Sequence, residues 1–254
     1  MVRKRLFLSV LVLTLCLFTA SAYAADAMSL LTGMAQKIAS AKKFSVTIRM
    51  GYDVVQDSGQ KVEFGEIRKI ILKRPKYLRV EAKQSDGDVN GIVFDGRTFT
   101  QYSLTPNVYA RLDLTGDIDK AVRFAVAKFG VRVPLARMLV TTFPDEIRKL
   151  TKEVFYVEKD VLGKTPTDHV DGRTDDVDYQ VWIGKDKLPT RIVITYKNAP
   201  GQPQFWANFY DWNLSPKTTE ETFIFTPPKG AEEIPFILPV SKPEPGTTDQ
   251  GGAS

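Results

Sequence analysis

The chain has 254 residues, 43% of them hydrophobic, with 35 Lys or Arg against 30 Asp or Glu and a formal net charge of +5. Three basic residues fall in the first five positions, so the rest carries 32 against 30, a net charge of +2 that gives no electrostatic footprint for nucleic acid. A single cysteine, Cys16, and a single histidine, His169, exclude a disulfide framework and a cysteine–histidine zinc site.

Arg3, Lys4 and Arg5 form a positive start, an uncharged apolar run follows from Leu6 to about Ala20, and Ala22-Tyr23-Ala24 supplies the small-x-small pattern that signal peptidase reads. Residues 1–24 therefore read as a cleavable secretory signal peptide, and the working protein as soluble and periplasmic. The apolar run is shorter than the ~20 residues needed to span a bilayer. Leu15 is not the small residue that a lipoprotein signal places before its cysteine, so no lipid anchor is expected. Cleavage removes Cys16, and the remaining chain must rely on an ordinary core.

From residue 26 the elements follow in order. Met28, Leu31, Met34, Ala35, Ile38 and Ala41 recur at three- and four-residue spacing, which predicts an amphipathic helix over 26–43. At Phe44 the period changes to two. Phe44, Val46, Ile48, Met50, Tyr52 and Val54 alternate with polar residues and predict a long strand with one buried face. Asp57-Ser58-Gly59 turns the chain into a second strand, Lys61–Lys73, and Tyr77–Lys83 is a third. Gly91–Phe94 and Thr98–Ser103 predict a tight hairpin around Asp95-Gly96, with a primed two-residue turn, and Tyr109–Leu114 a further strand. Ile118, Ala121, Val122, Ala125, Val126 and Phe129 share a helical face that Gly130 ends. Pro134–Val140 and Asp145–Leu150 read as short helices. Strands resume at Glu153–Lys159, Thr167–Asp171, Asp178–Ile183, Thr190–Tyr196 and Gln204–Leu214, and the ordered body is expected to end near Pro227-Pro228. The Pro-, Gly- and Thr-rich segment 239–254 reads as a disordered tail. These elements predict one α+β domain, residues 25–238, built on a strongly curved antiparallel open half β-barrel whose strands follow in sequence order, with helices across its concave face.

Few residues offer chemistry. His169, between Asp168 and Asp171, lacks a second metal ligand and a nucleophile, and reads as a surface strand histidine rather than the centre of a hydrolase. Asp86-Gly87-Asp88-Val89-Asn90-Gly91 copies half of a calcium loop, but Arg97 stands where the bidentate glutamate belongs. No cofactor-binding or phosphate-binding fingerprint is present, and neither catalysis nor a metal or cofactor is expected. The aromatic segment Phe205–Trp212 alternates Phe205, Ala207 and Phe209 on one face with Trp206, Tyr210 and Trp212 on the other.

The order of an exported helix, Phe44 opening a long strand, Lys73-Arg74-Pro75-Lys76-Tyr77-Leu78-Arg79, Phe94-Asp95-Gly96-Arg97-Thr98-Phe99 and Phe223-Ile224-Phe225-Thr226-Pro227-Pro228-Lys229-Gly230 resembles the periplasmic lipoprotein-carrier (LolA/LolB-like) superfamily. Within it the chain is most similar to an uncharacterised family of predicted periplasmic proteins. The resemblance implies a curved, unclosed sheet with a helical lid and an apolar cavity between them. It also implies that Arg74 holds the lid from inside, although Leu78 stands where the carriers place an aromatic partner. A ligand cavity is accordingly expected at Phe44, Val46, Ile48, Met50, Arg74, Leu78, Phe205 and Phe209. Its occupants would be lipid or the acyl chains of lipoproteins. The alternative is an interaction or regulatory module with a filled core and a membrane-associated protein partner.

Overall fold

A computed structural model of the chain describes residues 26–129 and 135–236. The predicted signal peptide, its cleavage point, the stop at Gly130 and the C-terminal tail lie outside the described residues. Helix α1 covers 26–39. It is followed by β1 (Lys43–Val55), β2 (Lys61–Lys73), β3 (Tyr77–Gln84), β4 (Val89–Phe94), β5 (Thr98–Ser103) and β6 (Val108–Asp113). A helical layer comes next: α2 (Ile118–Phe129), a 3-10 turn (Ala136–Leu139) and α3 (Phe143–Leu150). Strands β7 (Glu153–Asp160), β8 (Thr167–Arg173), β9 (Asp178–Gly184), β10 (Pro189–Thr195) and β11 (Gln204–Asn213) complete the body, and β12 (Glu232–Glu233) closes it.

All twelve strands form one open sheet in the order β12-β6-β5-β4-β3-β2-β1-β11-β10-β9-β8-β7, antiparallel except that β12 runs parallel to β6. The sheet is thus two meanders joined back to back through β1 and β11, rather than one run in sequence order. Laid flat it would be roughly 50 Å wide. Instead it curls, and one contiguous apolar core takes residues from both arms, from Phe99 on β5 to Val170 on β8. The protein is an α+β, strongly curved open half-barrel with helices packed across its concave face.

Period-two patterning explains the inner wall. Phe44, Val46, Ile48 and Met50 of β1 are buried, as are Ile70 and Leu72 of β2 and Phe205, Ala207 and Phe209 of β11. On α1, Leu31, Met34, Ala35 and Ile38 are buried against them. Asp117 caps α2, its Oδ1 accepting the Lys120 amide at 2.8 Å. Large rings lie directly over three strand glycines, Gly51, Gly91 and Gly172. A Cβ on Gly51 would meet the Trp206 ring at 2.7 Å, and one on Gly172 the Tyr179 ring at 2.3 Å, so each glycine admits the ring of its cross-strand partner.

Several sequence expectations change. Asp95-Gly96 is no two-residue turn: Phe94 pairs with Phe99, and the Asp95 carboxylate accepts the amides of Arg97 and Thr98 across a longer loop. Of the short helix expected at Pro134–Val140, the described residues 135–140 form only the 3-10 turn, and Pro134 lies outside the described residues. The alternation of the aromatic strand breaks at Asp211, a bulge residue at φ 54° that shifts the register. Trp212 is carried inward, 5.5 Å from the Phe44 ring and 5.8 Å from Phe209, leaving Trp206 and Tyr210 outside.

Order also continues past Pro227-Pro228. Phe223 packs on Tyr77 and Phe225 stacks on Tyr102 across the convex face. Strand β12 then pairs with β6, and Phe236 meets Phe99 and Phe124 on the concave side. This segment covers the Val108–Tyr109 end of the β6 edge and shortens the row open to further pairing.

Candidate functional site

Between the sheet and the helical layer lie two cavities of similar size, about 320 and 340 Å³. Both fall at the low end of ligand pockets, which run from roughly 300 to 1,000 Å³. The first, cavity A, lies under α2 and faces β1–β5. Ile48, Met50, Ile70, Leu78, Val80, Ala82, Ile92 and Phe99 form its floor, and Ala121, Val122, Ala125 and Val126 its roof. Small residues on the helix explain the space. Over Phe44, by contrast, Ile38 and Met138 leave a void of only about 20 Å³, room for one water at most and lined by apolar groups. Cavity B lies under α3 and faces β9 and β10. Its lining mixes Phe143, Ile147, Val181 and Ile192 with Arg137, Glu146, Thr151, Thr174, Asp175 and Asp176. Leu135 lines both cavities, and with Met138 and Leu139 it forms the partition between them.

The eight residues expected at the cavity separate into groups. Ile48, Met50 and Leu78 line cavity A. Phe44, Val46 and Phe209 line the small void, which is packed core. Phe205 is buried and lines none of these spaces. Arg74 also lines none of these spaces; its Nη1 is 3.8 Å from Asp119 Oδ1 on α2. Burial pulls the Arg74 guanidinium below its ordinary pKa, and the Asp119 carboxylate counters that pull. Asp119 also accepts the amide and hydroxyl of Thr141, and the Ile118 amide donates to the Pro75 carbonyl at 2.8 Å. An arginine in the turn between β2 and β3 thus meets a lid carboxylate, not an aromatic ring.

Sequence reasoning missed Arg68 and Asp119. Arg68 lines cavity A from the buried phase of β2, two residues before Ile70, and pairs with Glu66. A charged residue in phase with buried Ile70 and Leu72 is a legible signal, since charges are rarely placed there unpaired.

Under α3, Glu146 gathers Arg123, Arg137 and Thr142. Burial pushes its carboxyl pKa up, but these hydrogen bonds outweigh burial and the net direction is down. Tyr179, buried and bonded to Thr151 at 2.6 Å, is pushed up to about 12 by burial, so its phenol stays neutral.

His169 is buried rather than on the surface. Its Nε2 donates to Gln180 Oε1 at 3.0 Å and its ring stacks 4.0 Å from Trp182, against which Arg191 also lies. Among the described residues its hydrogen-bond partner is this amide, and no hydroxyl or thiol bonds to the ring. Among the described residues no group of three or more His, Cys, Asp or Glu is arranged to hold a metal, and no helix is long and apolar enough to cross a membrane.

Fold and cavities together define a lidded, open half-barrel with an apolar pocket between sheet and lid. The chain belongs to the family of predicted periplasmic proteins DUF2092, whose profile matches residues 27–237. Among solved structures it is similar to an uncharacterised conserved protein from Thermus thermophilus, with 10% identity and a TM-score of 0.45, over 79% of this chain and 94% of that one. It is also similar to a LolA superfamily protein from Nitrosomonas europaea, with 10% identity and a TM-score of 0.39, over 78% and 97%. A putative outer membrane lipoprotein-sorting domain from Vibrio parahaemolyticus aligns with 8% identity and a TM-score of 0.34, over 79% and 97%. No curated protein matches the sequence.

Proposed function

We propose that this protein is an exported, non-catalytic carrier or sensor that holds a single acyl chain in cavity A. The observation that carries the reading is the cavity itself: about 320 Å³ between an aliphatic floor and a roof of alanines and valines, with three polar side chains in its lining. Each methylene moved there from water contributes roughly 0.8 kcal/mol, so affinity needs no specific polar contact. The family description supports a periplasmic setting, and residues 1–24 supply the export signal in this reading.

Mass spectrometry of lipid extracted from the natively exported protein, with titration of a fluorescent fatty acid, tests this. Bound acyl chains and saturable uptake are expected, and Ile48→Glu is expected to abolish uptake with the circular dichroism spectrum unchanged. Empty protein that takes up no fatty acid would overturn the reading.

A second reading, docking of an envelope protein, is favoured by the β7 edge, where Phe155, Val157, Val161 and Leu162 are exposed. Recovery of one stoichiometric envelope partner with a lipid-free cavity would favour it.

A further inference from the structure

Cavity A has a direction. The pairing registers place its side chains in rows across β1–β5. The row at the Arg74 end is Phe44, Leu72, Leu78, Phe94 and Phe99, all buried and apolar. The next is Val46, Ile70, Val80, Ile92 and Gln101, and the one beyond it is Ile48, Arg68, Ala82, Asn90 and Ser103. Polarity therefore rises along the strands, over about 13 Å from the Leu78 row to the Ala82 row. At the polar end the small Ala82 stands between Arg68 and Asn90, and all three line the cavity.

The groups at this end have unused capacity. Arg68 pairs with Glu66 through Nη2, while its Nε is buried and has no hydrogen-bond partner. A buried donor left unpaired is costly, and an acceptor arriving with a ligand relieves that cost. Asn90, half-buried, and Gln101, exposed, both line the cavity, and neither side chain bonds to another described residue. Glu66 balances the guanidinium, so a dianionic head group would meet its repulsion twice over, whereas a monoanion could share Arg68 with it.

We infer that Arg68, Asn90 and Gln101 form a head-group subsite for the carboxylate of a free fatty acid, whose chain runs toward Leu78 and Phe99. This rests on the acyl-chain reading above and adds the head-group chemistry and the orientation. Arg68 Nε donates to the carboxylate, and the two amides supply further donors.

The test compares hexadecanoic acid with hexadecanol on the delipidated protein by displacement of a fluorescent acyl probe. The acid is expected to bind roughly ten- to a hundredfold more tightly than the alcohol. Arg68→Met, which keeps the apolar stem, should erase that preference while leaving hexadecanol affinity unchanged. Glu66→Gln, which releases the second guanidinium edge and keeps the strand pairing, should raise acid affinity at least threefold and serves if Arg68→Met does not fold. Equal affinity of the wild type for acid and alcohol, or equal losses of both in Arg68→Met, would overturn the subsite and leave the acyl cavity standing. Binding of neither would overturn both.

Discussion

Cavities A and B are nearly equal in volume and share the Leu135 partition, yet their polar side chains differ in kind and placement. Alanines and valines roof the first, and its polar groups gather at one end. Charges and hydroxyls are spread through the lining of the second. Volume alone does not define a binding site: both linings are mostly apolar, and what separates them is the set of carboxylates and threonines that cavity B has and cavity A lacks, groups that favour water.

The comparison breaks or holds under a pair of filling substitutions, which carry the largest expected effect. Ala125→Trp places an indole in cavity A and should reduce fatty-acid uptake at least a hundredfold. Ile147→Trp places the same ring in cavity B, with a smaller gain in volume, and should leave uptake within twofold of wild type, although overpacking costs either variant about 1–3 kcal/mol of stability. Parallel fluorescence titrations and thermal melts check both. Equal losses of uptake would mean that the two spaces act as one chamber.

Much of the fold was legible because period two is hard to mistake. Strand β2 matches its expected span of Lys61–Lys73, and the inward phase of β1 follows from Phe44, Val46, Ile48 and Met50 alone. The neighbours of a strand were less legible. That β1 lies beside β11, that Asp211 bulges and turns Trp212 inward, and that β12 wraps an edge all depend on partners distant in sequence. The site was legible by face but not by emptiness. Ile48 and Phe44 are in phase on one strand, yet only Ile48 borders a useful space, because Ala121 and Ala125 roof cavity A while Ile38 and Met138 cover Phe44.

The latches of the two lid helices extend the contrast. On α2, Asp119 meets an Arg74 with only 12% of its side chain exposed and two nitrogens without partners. Asp119→Ala strands that buried charge and should cost about 3 kcal/mol. Pairing it with Arg74→Met should recover most of the loss, because the desolvated cation is then gone. Urea unfolding of the two variants measures this. A double variant no more stable than Asp119→Ala would show that the buried charge is not the source of the cost.

On α3 the corresponding latch is Glu146, whose arginine partners are 55% and 61% exposed and therefore screened. Glu146→Gln should cost only about 0.2–1 kcal/mol at neutral pH. The pH dependence identifies the term. Because the folded state holds this carboxyl below its ordinary pKa, it favours the ionised form, and the stabilisation is complete above the unfolded value. It declines as the pH falls through the lowered folded value, where protonation removes the charge from the Arg123 and Arg137 contacts. Wild type and Glu146→Gln should therefore differ at pH 7 and converge in acid, and raising the salt at pH 7 should narrow the same gap. A gap that is independent of both pH and salt would assign the effect of Glu146 to packing under α3 rather than to charge, leaving Asp119 as the electrostatic latch of the two.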